Sequence, residues 1–241
     1  MITRRVVVPE RLDDPLVSRE ELVESFRFIR LVNRRLGGVA AIERELARLL
    51  PAWPQDRPLR VLDLGTGAAD LPLAAVAWAD RRGLAIECVG VEMHRGVLEL
   101  AREAAAAEPR VSIVELDARA SVEHFGVDSF DFVHAGMFLH HLPDLEVMTM
   151  LATMSRLSRI SLVWNDLVRS RFNAIAIRLL TVGRHPTVRF DAAASVSKGF
   201  SIREVLDLAK RVDLPNPRVG RLFAGRFALV STKPGFGLAA R

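Results

Sequence analysis

Val61-Leu62-Asp63-Leu64-Gly65-Thr66-Gly67 is the stretch on which the fold turns. A mainly apolar run leads into two glycines, and a helix-length segment follows from about residue 69. Such a run reads as a buried strand, and glycines at its carboxyl end permit a sharp turn and close approach of another group. The same pattern repeats on either side. Apolar runs at 59–64, 84–92, 111–115, 130–135 and 160–166 alternate with helix-length segments at about 69–82, 96–107 and 144–155. Alternation of this kind needs crossover connections, hence parallel strands with helices on both faces. The last two runs, 218–223 and 226–232, are joined only by Ala224-Gly225, which is too short to cross over and implies an antiparallel hairpin. The expected fold class is α/β: a doubly wound, seven-stranded, mostly parallel sheet with a C-terminal antiparallel hairpin.

Ahead of that core, Ser18-Arg-Glu-Glu21 has the pattern of a capping box and Gly37-Gly38 that of a helix stop. Leu22, Phe26, Ile29, Asn33 and Leu36 recur at spacings of four and three, so they share one helix face. An amide on an apolar face needs partners. Asn33 therefore either meets backbone in the core or points into a substrate cavity. A second helix is expected at about 40–50, and Pro51, Pro54 and Pro58 mark a boundary. Residues 1–57 thus read as a helical lid and 58–241 as a Rossmann-like domain with a cover segment at about 168–200. Within the cover, 169–190 is expected to lie on the sheet and 191–200, rich in Ala and Ser, to form a mobile loop.

Half of the 241 residues are hydrophobic and 26% are charged, a globular composition. The net charge is +5, from 34 basic and 29 acidic residues, and only Lys198, Lys210 and Lys233 are lysines. The arginines are scattered without a basic stripe, so nucleic acid is not the expected partner. Cys88 lies in an apolar run and reads as a buried thiol. The first ten residues lack the apolar stretch of a secretion signal, and no run reaches membrane-spanning length, so the expected location is the cytoplasm. Apolar residues 172–180, flanked by Arg171, Arg178, Arg184 and Arg189, leave room for weak membrane-surface contact.

Three acidic residues sharpen the reading of the glycine turn. Asp63 precedes Gly65 by two positions, Glu92 ends the second strand 25 residues after Gly67, and Asp117 follows the third. A carboxylate at Glu92 is placed to accept ribose hydroxyls. A dinucleotide-binding turn would have a third glycine at position 70, which is Asp. These residues resemble the motifs of class I S-adenosylmethionine-dependent methyltransferases, whose own third glycine would fall at Ala69. The resemblance implies that fold, S-adenosylmethionine as cofactor with S-adenosylhomocysteine as product, and a cofactor site of Asp63, Gly65, Thr66, Gly67, Glu92, Met93, Asp117 and Ala118.

The segment from Phe130-Asp-Phe-Val133 to Leu139-His-His-Leu142 resembles small-molecule methyltransferases that act on quinones and phenols. Asn165-Asp-Leu-Val-Arg-Ser170 and Val32-Asn-Arg-Arg-Leu-Gly-Gly38 are similar to a bacterial group found beside type III polyketide synthases. Histidine is the side chain most easily poised to take a proton near neutral pH. His140, His141 and Asp166 are accordingly the candidates for deprotonating an acceptor. Asp166 has an alternative role, capping the next helix and pairing with Arg169. Asn33, Phe138, Asn165 and Arg169 are candidate acceptor contacts, and Phe138, Trp164 and Phe172 candidate cavity walls. No metal is expected, because adjacent histidines lack the i, i+4 spacing of helical ligands. The implied reaction is methyl transfer to a small, lipophilic aromatic acceptor, foremost O-methylation of a phenolic polyketide. The alternatives are C-methylation of a quinone precursor, RNA methylation, and cofactor binding without turnover.

Overall fold

The computed structural model describes residues 5–236; the ends of the expected lid and domain, residues 1–4 and 237–241, lie outside the described residues. Seven strands form one sheet: β1 (Leu59–Leu64), β2 (Ile86–Glu92), β3 (Val111–Glu115), β4 (Phe130–Gly136), β5 (Ser158–Leu167), β6 (Arg218–Leu222) and β7 (Arg226–Thr232). Their spatial order is β3-β2-β1-β4-β5-β7-β6. The first five are parallel, and β7 runs antiparallel to both β5 and β6. The expected fold class is the observed one.

Nine α-helices accompany the strands among the described residues: α1 (Arg19–Arg35), α2 (Gly38–Arg48), α3 (Asp70–Asp80), α4 (Arg95–Ala105), α5 (Ser121–Phe125), α6 (Asp144–Leu157), α7 (Arg171–Leu180), α8 (Pro186–Lys198) and α9 (Ile202–Arg211). Side chains alternate across each strand, so the sheet divides two cores. Leu59 and Val61 of β1 pack with Ile42 and Leu46 of α2 and Ala75 and Trp78 of α3. Leu62 and Leu64 face the other way, onto the core that holds Met150 and Met154 of α6 and Val205 of α9. The capping box at Ser18 is formed, with Glu21 as its partner.

Several expectations need correction. β2 starts at Ile86 and β5 extends from Ser158 to Leu167. The short helix α5 carries no sequence period long enough to announce it. Residues 191–198, expected as a loop, complete α8, which His185 and Pro186 start. The preceding segment does not cover the sheet, since α7 contains no buried residue. Trp164 is no cavity wall: it sits in the core edge-on to Phe200 and Phe227, with ring centroids 4.8 and 5.0 Å away. Phe172 is not one either, being 77% exposed on α7. Ala69 adopts φ +58°, a left-handed conformation, where the methyltransferase pattern has its third glycine.

Candidate active site

The parallel strands β1, β2, β4 and β5 end on the same edge of the sheet, and a cavity of about 470 Å³ opens there. Ligands bind at this edge in doubly wound sheets because the loops diverge and the helix N-termini point inward. Phe26, Ile29 and Asn33 of α1 and Val188 and Ser195 of α8 close it from above the sheet edge.

One half of the cavity is built on the glycine turn. Gly65 and Gly67 both have positive φ (+64° and +57°). A Cβ added to Gly65 would come within 2.5 Å of the Phe138 ring, and one on Gly67 within 2.8 Å of Phe26. The turn therefore lies directly under two aromatic rings and has no room for side chains of its own. Glu92 holds the turn to the end of β2: Gly67 N donates to its Oε2 (3.1 Å), and Met93 N and His94 N to its Oε1 (2.9 Å each). Burial pushes the Glu92 carboxyl up despite these three amides. Asp63 is buried with both oxygens engaged, Oδ1 by His134 Nδ1 (2.7 Å) and Oδ2 by the Thr66 hydroxyl (2.8 Å). Asp117 accepts from the Arg119 guanidinium at 2.6 Å, which lowers its pKa, and its side chain is about one-third exposed (36%). Met93 and Ala118 also line this half.

Asp70, which sequence reading passed over, completes it. This carboxylate at the start of α3 lines the cavity, and burial raises its pKa. Its side-chain partner is the amide of Asn33, at 3.0 Å. Asn33 in turn accepts from Arg226 (2.7 Å), whose other amino group reaches Asn165 Oδ1 (2.9 Å). Arg226 is fully buried, which brings its pKa down to about 10 against the pull of Asp166 and Asp70. Asn33 thus lines the cavity but bonds to side chains rather than backbone. Asn165 faces Arg226 and the Phe227 carbonyl and is not part of the lining. Arg169 is also outside it, donating to Gly199 O (2.6 Å) and Glu204 (2.7 Å) instead of capping with Asp166.

The other half holds the histidines. Asp166, fully buried at the end of β5, lies 2.7 Å from Nδ1 of His140 and also accepts from Trp164 Nε1 and the amides of His140 and Leu167. Its pKa is lowered: burial acts upward, but His140, Trp164 and the Leu167 amide outweigh it. His140 lines the cavity, and its Nε2 is buried without a hydrogen-bond partner. The nearest carboxylate oxygen, Glu10 Oε1, stands 3.6 Å away, a charged neighbour beyond hydrogen-bond length. Flanked by two carboxylates, the imidazole has its pKa raised to about 9 even though burial pulls the other way.

Nothing local in the sequence marks Glu10, and the spacing of Ser195 and Lys198 carries no chemistry by itself. Residues 5–14 cross over the His140–His141 loop, tied down by Arg5, which donates to the carbonyls of Lys198, His140 and Leu142. This brings Glu10 against Lys198 Nζ (2.7 Å) and the Ser195 hydroxyl (2.5 Å). Burial pushes the Glu10 carboxyl up, but His140, His141 and Lys198 together hold it far below the usual carboxylate range. His141 Nδ1 lies 3.0 Å from Asp13 and 3.1 Å from Lys198 Nζ, and its tautomer decides which it bonds. Glu10, His140 and His141 offer donor atoms within 4.8 Å of one another, the reach of a metal site. The Lys198 ammonium already stands between Glu10 and His141 as the cation.

The methyltransferase-domain family matches residues 61–160, from β1 into β5. Among curated proteins, none matches the sequence. Solved structures share the fold at low identity. The plantazolicin methyltransferase BamL, determined with a triazolic desmethylPZN analogue and S-adenosylhomocysteine, aligns at TM-score 0.67 and 13% identity over 89% of this chain and 97% of its own. Magnesium protoporphyrin IX methyltransferase ChlM from Synechocystis PCC 6803, also with S-adenosylhomocysteine, aligns at 0.57 and 14% over 91% and 100%. The CurJ carbon methyltransferase aligns at 0.61 and 11% over 80% of this chain; the chain spans about half (53%) of that protein's length.

Proposed function

We propose that this S-adenosylmethionine-dependent methyltransferase O-methylates a small phenolic acceptor of polyketide type, with His140 as general base and Asp166 orienting it. The cofactor is S-adenosylmethionine, and the glycine-turn half of the cavity fits it. The two glycines add no side chains of their own at the turn, beneath the Phe26 and Phe138 rings. Glu92 Oε2, which accepts only the Gly67 amide, keeps a lone pair for a ribose hydroxyl, and Val91, Leu116 and Ala118 supply apolar walls for the base. Asp70 suits the amino group of the methionine end better than Asp63 does, because both Asp63 oxygens are spent internally whereas Asp70 has only an amide beside it. A buried carboxylate with a neutral partner is stabilised by an incoming cation. When bound, the cofactor supplies an electrophilic methyl group on a sulfonium, which an acceptor atom displaces in line.

The observation that carries the acceptor reading is the unpartnered, buried Nε2 of His140, a residue of the cavity lining, with Nδ1 fixed by Asp166; an acceptor reaches it once the side chains over it move aside. A hydroxyl placed on Nε2 gives its proton to the imidazole as its oxygen attacks, and Asp166 steadies the imidazolium that results. The proton affinities match: a phenol near pKa ~10 faces an imidazole at about 9. At neutral pH the resting imidazole carries a proton. Turnover should therefore rise with pH towards 9. Leu12, Phe28, Ile29, Phe138, Leu142 and Met150 give the acceptor space an apolar lining suited to an aromatic ring.

Mass spectrometry of a panel of phenols and polyketide-derived resorcinols incubated with S-adenosylmethionine tests this. The expected product carries an O-methyl group, and its rate increases between pH 7 and 9. A C-methylated product would transfer the same base to an enol carbon acid, and a rate that falls through this range would remove His140 from the role of base.

A further inference from the structure

α7 is amphipathic in the wrong direction for a helix that packs on a protein core. Phe172, Ile175 and Leu179, at spacings of three and four, form one face and are 77%, 61% and 69% exposed. Leu180 at the helix end and Val182 beyond it are further exposed apolar side chains. The opposite side of the same helix carries Ile177, which lines the cavity, so α7 is a thin wall between the active site and the outside. Asn173 binds α7 to the β6–β7 turn through the Gly225 carbonyl, and that turn bears a further exposed aromatic, Phe223.

Within the segment that carries this face the charge is of one sign. No acidic residue occurs between Asp166 and Asp191, whereas Arg171, Arg178, Arg184 and Arg189 are all exposed there. None of the four forms an ion pair among the described residues. Arg171 and Arg178 flank one edge of the apolar face, since they stand two helical turns apart.

From this pairing of an unpartnered apolar helix face with an uncompensated arginine rim we propose that α7 docks the enzyme on an anionic lipid bilayer. The apolar side chains enter the acyl boundary while the arginines meet lipid phosphates. A second copy of the chain is the poorer occupant, because a two-fold contact through this face would set the arginines of one copy against those of the other. The surface also sits where a lipophilic acceptor dissolved in the bilayer would leave it, next to Ile177 and Val188 of the cavity lining. That access route, unlike the docking itself, rests on the phenol reading above.

Co-sedimentation with vesicles of equal parts phosphatidylglycerol and phosphatidylcholine, against phosphatidylcholine alone, tests the docking. The full chain should bind the anionic vesicles, and binding should fall by about tenfold or more on raising salt from about 0.05 to 0.5 M. Phe172→Glu with Ile175→Glu should abolish it, and Arg171→Gln with Arg178→Gln should weaken it on anionic vesicles. Neither pair touches the cavity, so both variants should turn over a water-soluble phenol at the wild-type rate. Vesicle binding that survives the glutamate pair, or a wild type that ignores vesicles, overturns the proposal. So does a wild-type dimer, measured by light scattering, that the glutamate pair splits. Failure of turnover on every phenol with intact vesicle binding would instead count against the acceptor reading alone.

Discussion

Around the Gly65–Gly67 turn, the groups that face the cavity come from the ends of neighbouring strands: Asp63 and Asp70 flank the turn, Glu92 closes β2 and Asp117 follows β3. Around His140 the groups come from four separate places in the chain: Glu10, His140–His141, Asp166, and Ser195 with Lys198 on α8. The first half is held by backbone amides and geometry, the second by buried charges that depend on one another. A site of the first kind loses function piece by piece. One of the second kind responds as a unit, since removing one charge changes the protonation of the rest. Variants that affect one half and spare the other test the division.

The largest effect should come from the dyad. His140→Gln removes the base, and Asp166→Asn leaves the imidazole without the carboxylate on Nδ1. Each should lower kcat by about a hundredfold to ten-thousandfold. Binding of S-adenosylmethionine, measured by calorimetry, should stay at the wild-type value for His140→Gln, because the polar partners of that side chain are Asp166 and Glu10 and not the turn residues. A matching loss of cofactor affinity would break the division into halves. Asp166→Asn carries a stability loss as well, since three donors converge on its carboxylate. His140→Gln is therefore the cleaner of the two.

Glu92→Ala should act on the other half alone. Its carboxylate accepts three backbone amides and is placed for the ribose. Hydrogen bonds to a charged group are worth about 1.5–3 kcal/mol, so calorimetry should show cofactor affinity falling roughly ten- to a hundredfold. At saturating cofactor kcat should be near wild type. Undiminished affinity would mean that Glu92 serves only to tie the turn to β2.

The same contrast explains what could be read from the sequence. The sheet and its hairpin were legible because strand periodicity, glycine placement and connection length are local properties. The turn and its acidic followers were legible for the same reason. Ala69 shows the limit of that reading: small size keeps the α3 packing, but the left-handed backbone that a glycine would adopt freely is hidden in the letters. Glu10 and Lys198 are 188 residues apart, so no spacing pairs them. Asn165 and Arg169 sit at a strand end, as an acceptor contact should, yet their side chains turn to Arg226 and Glu204. The fate of α7 was equally hidden, since an apolar period predicts a buried face without saying what buries it.

The smallest effect, and the one that tests coupling most directly, is a pH shift. Glu10 is one of two carboxylates holding His140 protonated to about pH 9. Glu10→Gln keeps the shape and removes that charge, so the His140 pKa should fall towards the ordinary value of about 6.5. The rising limb of kcat should then move down by about one pH unit or more. The stability consequence has a definite sign. A histidine whose folded pKa is raised adds stability in full below about 6.5, and that contribution is lost as pH rises through about 9. In the variant this loss should set in at lower pH. Lys198, stripped of its carboxylate partner, should also cost about 3 kcal/mol in thermal or denaturant unfolding. If the kcat limb stays in place while stability drops, Glu10 is a structural partner of Lys198 and the two halves of the cavity differ in location but not in kind.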